Sequence, residues 1–149
     1  MPISPNAIAN AFLALARAEG KTLTNMQVQK LVFLAQGYSL ALLERCIYEN
    51  NTHAWQWGPV VPKLYKALQR YGSGIVTEDL NAQDSVVHGS EDYEIVAGVW
   101  DAYGMYSGSQ LSALTHKEGS PWAKQWALKP FDPIPVSEIK SYYKELVKQ

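Results

Sequence analysis

Residues 24–43 constrain this chain more than any other stretch. Thr24-Asn25-Met26-Gln27 has the form of a capping box, with Thr at the N-cap and Gln three residues later, where each side chain satisfies the other's free backbone N–H. Val28, Leu31, Val32, Phe33, Leu34, Ala35, Tyr38, Leu40, Leu42 and Leu43 then place apolar groups on nearly every side. Gln29, Lys30 and Gln36 are the main interruptions. A helix that is apolar all round has no solvent face and must be surrounded by the rest of the fold. No run of about 18 apolar residues exists, so this is not a membrane span. A chain of 149 residues is one domain long and can bury enough surface to fold without staples.

The flanking segments supply the packing partners. Ser4-Pro5 opens a first helix with apolar positions Ile8, Ala9, Phe12, Leu13 and Ala16, ended by Gly20. A helix from about Val60 to Tyr71 sets Val61, Leu64, Tyr65 and Leu68 against Lys63, Lys66 and Arg70 on the opposite face. Ser90 caps a further helix with acids in its first turn. Ser109 begins a short one, Ser120-Pro121 a turn carrying Trp122 and Trp126 on one side, and Ser137 a last one. Residues 72–89 read as loop. Between helices two and three, Ile47-Tyr48 and Ala54–Trp57 predict a short hairpin around the polar turn 49–53, and Gly58-Pro59 punctuates it. Trp55 and Trp57 alternate on that strand, one for the core and one for the surface. The expected fold is mainly α: a single compact helical domain, residues 1–149, of about six to seven helices with a small β-hairpin.

Charge is near zero in sum and uneven along the chain. Residues 1–70 hold seven Lys/Arg and three Asp/Glu, residues 71–116 seven acids and no Lys or Arg, and residues 117–149 six bases and four acids. The net charge of −1 argues against a general nucleic-acid binder, although Lys63, Lys66 and Arg70 form a basic helix face. The one cysteine, Cys46, excludes an intrachain disulfide and cysteine-based zinc sites. With no export signal, a reducing, cytoplasmic setting is expected.

Enzyme motifs are missing. His116-Lys117-Glu118 has the H-x-E form of nucleobase deaminases, but no P-C-x-x-C follows to complete the metal site. Neither H-E-x-x-H nor G-x-S-x-G, nor a phosphate-binding glycine loop, is present. No cofactor and no metal are expected, and His116 is assigned a structural role at a helix end. Lys30 stands out inside its apolar helix, either snorkelling outward or paired in the interior. The 11% of aromatic residues suits a protein-binding surface as well as a core.

Three segments together resemble the Panacea domain family, the SocA-like and GepA-like phage-associated antitoxins. They are Thr24 to Tyr38 with its Lys30-Leu31 pair, Ala54-Trp55-Gln56-Trp57-Gly58-Pro59-Val60-Val61-Pro62-Lys63-Leu64-Tyr65, and Leu111-Ser112-x-x-Thr115-His116-x-Glu118-x-x-Pro121-Trp122. The resemblance implies an antitoxin of a toxin–antitoxin pair, without enzyme activity, that binds a cognate toxin protein. Translation inhibitors are the common targets. It also brings two alternatives: an adaptor delivering the toxin to an ATP-dependent protease, and a phage protein acting on host defence. Neither a membrane nor a specific nucleic acid is an expected partner. Trp55, Trp57, Lys63, Tyr65, Lys66 and Arg70 are the expected contact residues. Lys30, Leu31, Gly58, Pro59, Val60, His116, Glu118, Pro121 and Trp122 are the motif residues whose role is structural or functional.

Overall fold

A computed structural model describes residues 2–149. Helix α2 (Asn25–Leu42) is the axis of the structure, and its capping box forms as expected: the Thr24 side chain accepts from the Gln27 N–H, and Gln27 accepts from that of Thr24. Phe33, Leu34, Val32 and Ala35 are all buried. Helices α1 (Pro5–Ala18), α4 (Glu91–Tyr103), α5 (Gly108–Thr115) and α7 (Val136–Val147) pack around it, with α3 (Pro62–Leu68) and α6 (Pro121–Leu128) beside a hairpin at one side. Among the described residues, seven helices and one two-stranded antiparallel sheet bear out the mainly α expectation.

The tightest contact along the axis is with α7. Gly37 has no side chain because the Tyr143 ring occupies that space; a Cβ there would stand 2.6 Å from Tyr143 Cδ2. Phe33 meets the same ring edge-on, with centroids 6.0 Å apart.

Ser4, Thr24, Ser90 and Ser120 cap their helices as read from the sequence. Two other caps differ. Helix α5 starts at Gly108 behind Ser107, because Ser107 and Gln110 form a reciprocal capping box that satisfies two N–H groups where Ser109 would satisfy fewer. Helix α7 starts at Val136 behind Pro135, which leaves Ser137 inside the first turn. Helix α3 is also shorter than expected, and residues Gln69–Tyr71 tighten into a 3₁₀ turn.

The hairpin corrects the sequence reading most. Its strands are β1 (His53–Trp55) and β2 (Gly58–Val60), paired His53 to Val60 and Trp55 to Gly58, so the turn is Gln56-Trp57. Ile47 and Tyr48 form no strand there. Buried Gln36 of α2 takes their backbone groups instead: its Oε1 accepts from Ile47 N–H at 2.8 Å, and its Nε2 donates to Tyr48 O at 3.1 Å. The other edge of β1 meets residues 131–134, with Phe131 N–H donating to Ala54 O at 2.8 Å and Ala54 N–H to Asp132 O at 3.0 Å. Gly58-Pro59 is therefore the start of a strand rather than punctuation before a helix.

The loop at 72–89 folds back on the basic N-terminal half. Arg17 pairs with Asp79 at 2.9 Å, Arg70 with Glu78 at 3.2 Å, and Ser4 Oγ donates to Asp84 at 2.6 Å.

Candidate functional site

The hairpin is clamped from three directions. Trp122 Nε1 at the start of α6 donates to Trp55 O at 2.6 Å. Ser112 Oγ on α5 donates to Trp57 O at 3.3 Å. Lys30 Nζ on α2 donates to Pro59 O at 3.2 Å. The three stretches that stood out in the sequence thus meet at one place, and three side chains from separate helices hold the carbonyls of Trp55, Trp57 and Pro59 in one hairpin. Gly58 sits at the centre with φ +121°, a conformation open to glycine; a Cβ there would lie 2.8 Å from Lys30 Nζ and 3.2 Å from His116 Cε1.

His116 secures the clamp. As the C-cap of α5 it donates through Nδ1 to Ser112 O at 2.6 Å. Its ring stands edge-on to Trp122 at 4.2 Å, Trp122 stacks on Trp126 at 5.5 Å, and Trp126 meets Phe131 at 5.2 Å. His116 is thus both hydrogen-bonded and packed at the end of α5. Glu118 is exposed two residues further on. Among the described residues no three His, Cys, Asp or Glu side chains are grouped to hold a metal.

Lys30 neither snorkels nor finds an acid. It is 1% exposed and its ammonium meets the neutral Pro59 carbonyl. Burial lowers its pKa from 10.5 to about 8, and no carboxylate opposes that effect. A protonated ammonium in that position is held at a cost of hydration that one carbonyl does not restore.

A pocket of about 270 Å³ opens beside it. Lys30, Gln29 and Met26 of α2, Trp55 and Trp57 of the hairpin, Tyr65 of α3 and Phe131 are among its walls. Trp55 packs edge-on against Tyr65 at 5.0 Å and is half-buried, whereas Trp57 in the turn is 65% exposed. Trp57 is outward as expected, through its turn position and not strand alternation, but Trp55 is half-buried at the pocket wall and does not join the core as one of the two was expected to. Phe131 is 56% exposed and holds φ +72°, which is unfavourable for an aromatic residue. Its N–H is anchored on β1, so the ring is presented toward the pocket by a backbone constrained elsewhere.

The expected contact residues divide. Trp55, Trp57 and Tyr65 gather around the pocket. Lys63 and Lys66 are exposed on other sides of α3, with Lys63 beside the Asp84 segment, and Arg70 lies past the helix in the 3₁₀ turn, engaged with Glu78 and the Tyr71 hydroxyl. Leu31, Pro59, Val60 and Pro121 are buried. Met26, Gln29 and Phe131 were missed. Met26 lies four residues before Lys30 and so on its side of the helix, a readable signal. Phe131 arrives through long-range pairing with β1, which no local pattern announces.

Among the described residues no helix is long and apolar enough to cross a membrane. A sequence model of the family described as "Antitoxin SocA-like, Panacea domain" matches residues 28–123, the span that contains all three clamping side chains. The chain is similar to "Antitoxin SocA" of Caulobacter vibrioides (strain NA1000 / CB15N), with 30% identity over 129 residues covering 80% of this chain and 69% of that one. No solved structure matches.

Proposed function

Because the chain belongs to the SocA-like antitoxin family with the Panacea domain, we propose that it neutralises a cognate toxin by binding it directly, without enzyme activity, through the clamped hairpin and the aromatic pocket beneath it. One observation carries this reading. Trp57, a large apolar side chain 65% exposed, is held at the tip of a hairpin whose carbonyls are tied to three helices. A rigid exposed aromatic next to a pocket loses little entropy on binding, and such residues dominate interface energies. The toxin's expected activity is a block of translation.

The test is co-expression with the product of the adjacent gene, scored by growth and amino-acid incorporation. That product alone should arrest incorporation, and this protein should restore it. Trp57→Ala should leave the melting temperature within about 2 °C of wild type, since little apolar area is lost from the core, and weaken toxin binding by roughly 30-fold or more, the range of an interface anchor. Rescue by Trp57→Ala equal to wild type in titrated co-expression, with equal affinity in calorimetry, removes the hairpin tip from the account. A toxin half-life that shortens in the presence of this protein identifies delivery to a protease; an unaltered half-life identifies sequestration. Charge reversal at Lys63 and Lys66 tests separately whether the basic face of α3 joins the contact.

A further inference from the structure

Lys30 presents the most unusual chemistry in the molecule. Its ammonium carries three N–H donors, and Pro59 O takes one of them. The described residues place no carboxylate within ion-pairing reach of it, although ten ion pairs decorate the rest of the surface. Every Asp and Glu of the acidic middle segment lies elsewhere, and no acid lines the pocket beside Lys30. The charge is therefore left without a countercharge at the wall of an opening rimmed by Trp55, Trp57, Tyr65 and Phe131.

We propose that this pocket receives an Asp or Glu side chain of the partner protein, whose carboxylate completes the coordination of the Lys30 ammonium. The proposal rests on the toxin-binding reading above and names the chemistry that the partner must bring. Two considerations favour a carboxylate over a neutral group. A carbonyl or hydroxyl repeats what Pro59 already offers and leaves the charge uncompensated, whereas a carboxylate supplies two acceptor oxygens and the missing negative charge. The aromatic walls exclude water once occupied, which strengthens an ion pair that solvent would otherwise weaken. The residues are also placed for a side chain rather than a free ion. The hydrophobic rim suits the methylene stem of Glu or Asp and the backbone behind it, and the exposed Trp57 and Phe131 extend the contact outward. A buried donor that discriminates for one acidic side chain is a specificity device, because a toxin lacking that acid meets an unpaired charge.

The experiment measures binding of the adjacent gene product by calorimetry. Lys30→Met keeps the stem length and removes the charge. It should fold, and its affinity should fall roughly 100-fold, as expected when one partner of a buried charge pair is removed. An Asp→Asn and Glu→Gln scan of the gene product should reveal one position with a matching loss, and the double variant should lose no more than either single one. A folded Lys30→Met with wild-type affinity overturns the proposal and leaves the binding reading intact, whereas absence of binding by the wild-type protein overturns that reading and the proposal with it. If Lys30→Met does not fold, the scan against wild-type antitoxin decides: no acid whose loss weakens binding tenfold is a refutation. Saturable binding of acetate or inorganic phosphate to the free protein below 1 mM (about 4 kcal/mol or more, on the affinity scale), lost in Lys30→Met, reassigns the site to a small anion and also overturns the proposal.

Discussion

Lys30 makes the stability of this protein depend on pH in an unusual direction. In the unfolded chain its ammonium titrates near 10.5, and in the folded protein burial lowers that to about 8. Between those values the unfolded state holds more protons than the native state, so stability rises with pH. The favourable contribution is complete above 10.5 and is lost as pH falls through about 8. The gap corresponds to about 3 kcal/mol in all, and to about 1.5 kcal/mol between pH 8 and 9.5. Other groups act in the opposite sense: partial burial holds the Cys46 thiol up, and burial raises the Tyr38 and Tyr48 hydroxyls, so each loses stability as pH climbs. His116 of α5 and Tyr65 of α3 are the titratable groups that share the pocket or the Gly58 contact with Lys30. All of these are common to wild type and Lys30→Met, so the difference between the two isolates the lysine. Urea unfolding at constant ionic strength should show the wild-type midpoint gaining on that of Lys30→Met by about 0.7 M from pH 8 to 9.5, taking a slope of about 2 kcal/mol per molar. Parallel profiles, or a wild-type midpoint that falls behind, would refute the claim that this ammonium is desolvated and unpaired.

Two further expectations concern the frame around the site. Trp122→Phe keeps the ring against His116 and Trp126 but removes the N–H donated to Trp55 O, which should cost about 1–2 kcal/mol and about 3–6 °C in calorimetric melting temperature; an unchanged temperature would mean that this bond does not hold the hairpin. Gly37→Ala drives a methyl into the Tyr143 ring and should destabilise by about 1–3 kcal/mol in chemical denaturation, with most of that recovered in combination with Tyr143→Leu; a neutral effect would show that α2 and α7 are less closely seated.

What the sequence made legible follows from how local each signal is. The α2 capping box, the Ser-Pro openings at Ser4 and Ser120, and the apolar periods of α1 and α4 are decided within one or two turns, and all were readable. The hairpin failed because its register is set from a distance. Gln36, eleven residues from Ile47, uses up the backbone groups that were expected to pair, and residues 131–134 cover the far edge of β1. At the site, the tryptophans and Lys30 stood out by type alone. That Lys30 lies under Gly58, and that Phe131 joins the rim, depends on contacts across 28 and more residues, which periodicity does not carry.

The distribution of charge bears on how a partner is chosen. The sequence divides into a basic beginning, an acidic middle and a mildly basic end, which suggests a polar molecule that steers its partner by long-range attraction. The fold removes most of that contrast: Arg17 meets Asp79, Arg45 meets Asp92 at 2.8 Å and Glu91, and Arg70 meets Glu78. The exposed ones among these pairs contribute little stability each, but together with the part-buried Arg45–Asp92 pair they use the field of both halves to hold the 72–89 loop and the start of α4 in place. Lys63 and Lys66 of the first half and Asp84, Glu94 and Asp101 of the middle stay outside these pairs, so the field left to attract a partner from afar is reduced and of mixed sign. Discrimination has to operate at contact, and at contact the one strong electrostatic demand is the buried ammonium beneath the hairpin. A partner selected there is recognised by where it carries one acid among apolar side chains, not by its net charge, so toxins of quite different overall charge are compatible with the same pocket.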